Sequence, residues 1–201
     1  MKFSSQSIKE KDLSIVRLTD HSTQTTIDIL PDYGAILHGF TIQAANGSFN
    51  IIDNYPDKKA VESQLSTSFK SAKLSPFVCR IPEGTYQWED KRYELSNKFN
   101  DGSAIHGILY NKSFNVVDQY SNEEQAAVRL KYQYKKEDEG YPFNYSCEIV
   151  YILHPGNRLQ IETTVRNLDV IIIPIADGWH PYFTLGGKIN NYQLQFASDT
   201  L

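Results

Sequence analysis

The stretch Val128-Arg129-Leu130-Lys131-Tyr132-Gln133-Tyr134 alternates apolar and polar side chains at every step. In an extended chain successive side chains point to opposite faces, so this period of two builds a strand with one packed and one wetter face. The alternation recurs downstream in Tyr145, Cys147, Ile149, Tyr151 and Leu153, in Leu159, Ile161, Thr163 and Val165, and in Tyr192, Leu194 and Phe196. Turn chemistry punctuates these runs: Pro31-Asp32-Tyr33-Gly34, Asn46-Gly47, Pro82-Glu83-Gly84, Asp101-Gly102, His154-Pro155-Gly156-Asn157 and Gly186-Gly187. A helical period shows only over residues 57–66, where Ala60, Val61 and Leu65 follow Pro56. Many strands and almost no helix predict an all-β fold, an antiparallel sandwich or barrel. There is no repeat, linker or low-complexity tract, so residues 1–201 read as one domain.

The composition agrees and removes several function classes. The chain has 201 residues, long enough to bury a core without disulfide or metal staples. Leu, Ile, Val and Phe supply about a quarter of it, above the ~20% below which disorder is the default. Net charge is −4, which argues against a nucleic-acid or anionic-membrane partner. The longest compact apolar run, Val170-Ile171-Ile172-Ile173-Pro174-Ile175, is strand-sized and far short of the ~18 residues of a membrane span. The N-terminus lacks the apolar core of a signal peptide, so a cytoplasmic protein is expected and the Asn-x-Ser triplets at Asn46, Asn111 and Asn144 carry little meaning. Cys79 and Cys147 allow one bridge at most and show no paired ligand spacing.

Three clusters combine titratable groups with rigid punctuation. One runs from Pro76-Phe77-Val78-Cys79-Arg80-Ile81-Pro82-Glu83-Gly84 through Tyr86, Trp88, Tyr93, Leu95 and Asn97 to Ile105-His106-Gly107. The second is Asp138-Glu139-Gly140-Tyr141-Pro142-Phe143, and the third Asp177-Gly178-Trp179-His180-Pro181-Tyr182-Phe183-Thr184-Leu185. Each has a plain structural alternative. On its own, His180 reads as a strand-end histidine packed among aromatics before it reads as catalytic, and His106 as a turn histidine. Arg80 could pair with Glu83 or Asp90 as a surface ion pair of little worth. A metal site from His38, His106 and His180 is allowed by residue type but not supported by spacing, so no metal or cofactor is expected.

Taken in order, Arg80-Ile81, Gly84, Tyr86, Tyr93, Leu95, Asn97, His106-Gly107, Glu139-Gly140-Tyr141-Pro142 and His180-Pro181-Tyr182-Phe183 with Leu185 resemble the aldose 1-epimerases, the galactose mutarotases. The upstream Leu30-Pro31-Asp32-Tyr33-Gly34-Ala35 is similar to that family's early strand and turn, and the likeness covers residues 27–187. The resemblance implies an antiparallel β-sandwich with an open sugar cleft, and interconversion of the α and β anomers of a free aldohexose such as galactose or glucose. It implies that His180 is the acid serving the ring oxygen and that His106 bonds the same end of the sugar. By the same likeness Arg80 contacts a hydroxyl or the ring oxygen. Trp179 is placed at the cleft as an aromatic platform for the sugar's C–H face, whereas Trp88 is read as a core aromatic.

The chain also departs from the family pattern. Cys79 stands where an asparagine commonly precedes the arginine, a single glycine follows His106, and Trp179 precedes His180 where many members have asparagine. The family's base glutamate and a sugar-binding aspartate belong to a C-terminal portion beyond Leu201, so the sandwich is expected to be incomplete at that end. The rival expectation is a non-catalytic carbohydrate-binding module, or an inactive fragment, that keeps the cleft.

Overall fold

The computed structural model describes residues 1–195 and 197. Five strands, β1 (Phe3–Glu10), β2 (Leu13–Asp20), β3 (Thr25–Leu30), β4 (Ile36–Ala44) and β5 (Gly47–Asn50), form an antiparallel meander in sequence order. Helix α1 (Lys58–Ser68) follows, then the short strands β6 (Ala72–Leu74), β7 (Arg80–Ile81), β8 (Thr85–Trp88), β9 (Lys91–Glu94) and β10 (Ala104–Ile105). A second meander comprises β11 (Asn115–Ser121), β12 (Ala126–Lys135), β13 (Asn144–His154) and β14 (Arg158–Asn167). The last strand, β15 (Gly178–His180), pairs antiparallel with β6.

The two meanders pack face to face, giving the antiparallel sandwich that the alternation predicts. Val16 and Leu18 of β2 and Ile27 and Ile29 of β3 share one core with Val128, Leu130, Tyr145, Cys147, Ile149, Tyr151 and Leu153. The alternate residues of β13 are all completely buried, as their period of two requires. The first sheet is packed on its other face as well. There Leu13, Ile15, Leu30 and Ile36 meet Ala60, Val61 and Leu65 of α1 and Ala72 and Leu74 of β6.

Helix α1 starts where the sequence marks it. Asp57 is extended and its side chain accepts from the Ala60 N–H at 2.8 Å, satisfying one of the free donors of the first turn. The helix runs past the predicted end and stops at Phe69, whose φ of +52° is left-handed and whose N–H bonds the Leu65 carbonyl at 3.0 Å. Glycine normally fills that conformation; here a buried phenylalanine holds it.

One strand-sized apolar run and one expected strand do not form strands. The run 170–175 makes no strand: only Ile173 (8% exposed) reaches the core, while Ile172 is 73% exposed. Apolar composition makes a strand only where a ladder partner exists, and the segment is tied down otherwise, by Ala176 N–H to the Pro76 carbonyl (2.7 Å) and Tyr141 Oη to the Pro174 carbonyl (2.7 Å). The alternation at Tyr192, Leu194 and Phe196 also fails to give a strand over its described part. Residues 189–191 form a short 3₁₀ turn, and the Tyr192 hydroxyl turns back to the Leu185 N–H (2.9 Å) and the Gly186 carbonyl (2.7 Å). Phe196 lies outside the described residues.

Candidate active site

His106 sits in a tightly constrained turn. Its φ is +62° and that of Gly107 is +80°, two consecutive left-handed residues. A Cβ on Gly107 would lie 2.3 Å from the Ser75 carbonyl oxygen, so the backbones approach too closely for any side chain there. For histidine the conformation costs of order 1–3 kcal/mol, and surrounding bonds enforce it. Ile108 and Leu109 both donate to the Ser75 carbonyl (2.8 and 3.2 Å), and His106 N–H reaches the Cys79 carbonyl at 3.3 Å. The imidazole Nδ1 lies 2.9 Å from the Val78 carbonyl oxygen. A carbonyl can only accept, so Nδ1 carries the proton and Nε2 of the neutral ring is left as an acceptor.

His180 arrives from the other end of the chain. Pairing of β15 with β6 sets His180 opposite Ala72, and the His180 carbonyl accepts from the Ser71 N–H at 2.9 Å. The following residues are docked onto the end of the first sheet by Asp53 N–H to the Tyr182 carbonyl and Thr184 N–H to the Ile51 carbonyl, each 2.9 Å. The two imidazoles meet edge to face with centroids 4.8 Å apart. Phe69, aimed by its left-handed cap, backs both rings at 4.8 Å from His106 and 6.5 Å from His180. Tyr182 stacks on His180 at 5.3 Å.

The two rings differ in their remaining nitrogens. His180 Nδ1 is buried with no hydrogen-bond partner, an arrangement that costs about 1–3 kcal/mol until something bonds it. Burial, and secondly the neighbouring His106, hold the His180 pKa below its ordinary 6.5. The pair is thus a half-buried imidazole with unspent bonding capacity beside one locked in a known tautomer.

Arg80 is placed differently. It pairs with neither Glu83 nor Asp90: its Nη1 donates to Asp101 Oδ2 at 2.6 Å and to Ser103 Oγ at 2.5 Å. Half exposed, it lines a polar cavity of about 530 Å³ with Thr67, Asn97, Lys98 and Tyr110, whose lining includes neither histidine. Its backbone is nonetheless joined to the histidine turn, since Arg80 pairs with Ile105 in the β7–β10 ladder.

Trp179, next to His180 in sequence, points the other way. Its ring packs edge-on to Tyr151 (6.1 Å) and lies under the Lys73 ammonium (4.7 Å). Trp88 packs against the main core, as read from the sequence, with its indole N–H unpartnered. Sequence reasoning missed Phe69, Ser71 and Lys73. Their only signal was position, between the helix and the Pro76–Arg80 motif, because their partners lie more than 100 residues away for Ser71 and Lys73. Among the described residues no three His, Cys, Asp or Glu side chains gather as a metal cluster, and no helix is long and apolar enough to cross a membrane.

Known proteins share this architecture. A galactose mutarotase-like protein from Clostridium acetobutylicum superposes with a TM-score of 0.75 at 20% identity, over 90% of this chain and 53% of that one. The galactose 1-epimerase of Lactobacillus acidophilus NCFM does so with a TM-score of 0.63 at 18% identity, over 83% and 49%. At such identities the likeness is one of fold. In sequence, the uncharacterized protein YihR of Escherichia coli K12 is 27% identical over 128 residues, 63% of this chain and 40% of its own length. The chain therefore spans about 40% of that relative and about half of the solved structures it matches. The aldose 1-epimerase family model matches residues 15–201, which takes in the first sheet from within β2 onward, the whole second sheet and both histidine motifs, and the chain belongs to that family.

Proposed function

We propose that the protein interconverts the α and β anomers of a free aldohexose, with His180 as the acid that protonates the ring oxygen. The observation that carries this reading is the His106–His180 pair, 4.8 Å between centroids, in which His180 keeps a buried nitrogen without a partner. Opening a pyranose requires a base to take the proton from the anomeric hydroxyl O1 while an acid delivers one to O5. The C1–O5 bond then breaks as its electron pair goes to the O5–H bond, and C1=O1 forms. Rotation about C1–C2 and reclosure run both transfers backwards. An imidazole can give and recover such a proton at mildly acidic to neutral pH, a contribution of ~10²–10⁴ in rate.

In this reading His106 accepts a hydrogen bond from a sugar hydroxyl at Nε2, its Nδ1–H being committed to Val78. Arg80 contributes hydrogen bonds from donors other than the Nη1 held by Asp101 and Ser103. Trp179, turned toward Lys73 and Tyr151, is left out of the sugar contacts. In this reading no carboxylate among the described residues is assigned as the O1 base.

Following α-to-β relaxation of freshly dissolved glucose or galactose, by polarimetry or NMR, tests the reading. His180→Asn should slow the catalysed exchange by at least ~10² while sugar affinity persists. Because the His180 pKa is lowered, kcat/KM should fall as pH rises through a midpoint below 6.5. A near-wild-type rate in His180→Asn would remove His180 from the mechanism. Unaccelerated exchange by the wild-type protein, with sugar bound, would favour the binding module.

A further inference from the structure

Lys73 is the one lysine described as fully buried, with 0% of its side chain exposed, and the acid–base chemistry above does not use it. Removing an ammonium from water costs several kcal/mol unless every donor finds a partner. The partners of Lys73 all come from the three residues that precede His180. The ammonium forms an ion pair with Asp177, donates to the Gly178 carbonyl at 3.1 Å, and lies 4.7 Å from the centroid of the Trp179 ring. Lys73 is also the cross-strand neighbour of Trp179 in the β6–β15 ladder. That ladder is only three residue pairs long, too short to hold a strand by backbone bonds alone.

We propose that Lys73 is a positioning residue for His180: its buried ammonium clamps residues 177–179 onto β6 and so sets the next side chain, on the opposite face, against His106 and Phe69. Period-two geometry makes the coupling direct, because fixing the Trp179 side of β15 fixes the His180 side. A second contact registers the clamp against the histidine turn. An ideal Cβ on Gly178 would lie 3.0 Å from Val78 Cγ1, and the Val78 carbonyl is the one that holds His106 Nδ1. Both imidazoles are thus keyed to one short segment, one of them through Lys73. The consequence for anomer exchange rests on the function proposed above; the positioning does not.

The test measures ring geometry and activity separately, in the full chain carrying this sequence. In the wild-type protein, nuclear Overhauser contacts should join the ring protons of His180 to those of His106 and Phe69. Lys73→Met, close in length but uncharged, should abolish these contacts while those within the Tyr134–Tyr145 cluster persist, and should lower kcat by ~10–10² with KM little changed. Asp177→Glu keeps the buried ammonium paired while lengthening the clamp by one methylene, so it folds even if Lys73→Met does not, and should weaken the same contacts. A loss of melting temperature in either variant with the His180 contacts and kcat intact would overturn the proposal, since a purely structural lysine behaves in that way. Loss of the contacts in a protein whose wild type catalyses no exchange would uphold the clamp and reject the function.

Discussion

The two faces of β15 carry adjacent residues and opposite physics. On one face Trp179 is enclosed by Tyr151 and the Lys73 ammonium, and the charge there is neutralised by Asp177. On the other, His180 meets His106, Phe69 and Tyr182, yet keeps a buried nitrogen with nothing bonded to it. One face is satisfied and the other is not. Stability is therefore concentrated on the Trp179 side and chemical capacity on the His180 side, within a strand three residues long.

This division can be broken most decisively by truncation. Trp179→Ala should cost about 3 kcal/mol in chemical unfolding, the lower range for a large aromatic because the ring is only half buried. His180→Asn should cost less than about 1 kcal/mol, because it removes a group whose nitrogen is already unpaired. Equal losses would mean that the two faces are energetically alike. Gly178→Ala sharpens the comparison at its centre, since the added methyl would crowd Val78 from the strand that links both faces. We expect a cost of about 1 kcal/mol, and a shift of the His106 ring resonances that no other surface glycine substitution produces.

The smallest effect is a pH dependence of stability. Burial holds His180 and His38 below the ordinary pKa of 6.5, with His106 adding to the effect at His180 and Lys11 at His38 against an opposing pull from Asp28. The unfolded chain then binds more protons than the folded one below about pH 6.5. Stability should fall as pH drops from there through the two lowered midpoints, read as a decreasing urea midpoint. Replacing both histidines should remove that part of the slope; an unchanged slope would show that neither ring is held neutral.

Much of the fold was legible in the sequence. The alternation in 145–153 gave β13 its face, and Asp57 marked the start of α1. What defeated the same reasoning at Tyr192 and Leu194 was the absence of a ladder partner, which no local pattern reveals. At the site, the two histidines and Arg80 were named from motifs, and the structure brings only the histidines ring to ring. The acid partner of Arg80 proved to be Asp101 rather than the nearer Glu83 or Asp90, because the β7–β10 pairing carries the turn at 101–103 alongside it. Phe69 was invisible because a phenylalanine in a left-handed helix cap breaks the usual glycine rule.

By itself the sequence determined β12 and β13, their inward faces and the identity of the titratable residues, because period, turn chemistry and side-chain type are local properties. Only the tertiary structure decided which nitrogen of His106 is occupied and which of His180 is orphaned. It alone turned Trp179 from the histidine pair toward Lys73. Those outcomes depend on backbone carbonyls and charges delivered from 28 residues away, for His106 and Val78, to 104 residues away, for Lys73 and Asp177. A hydrogen bond is set by distance in space, and distance along the chain does not encode it.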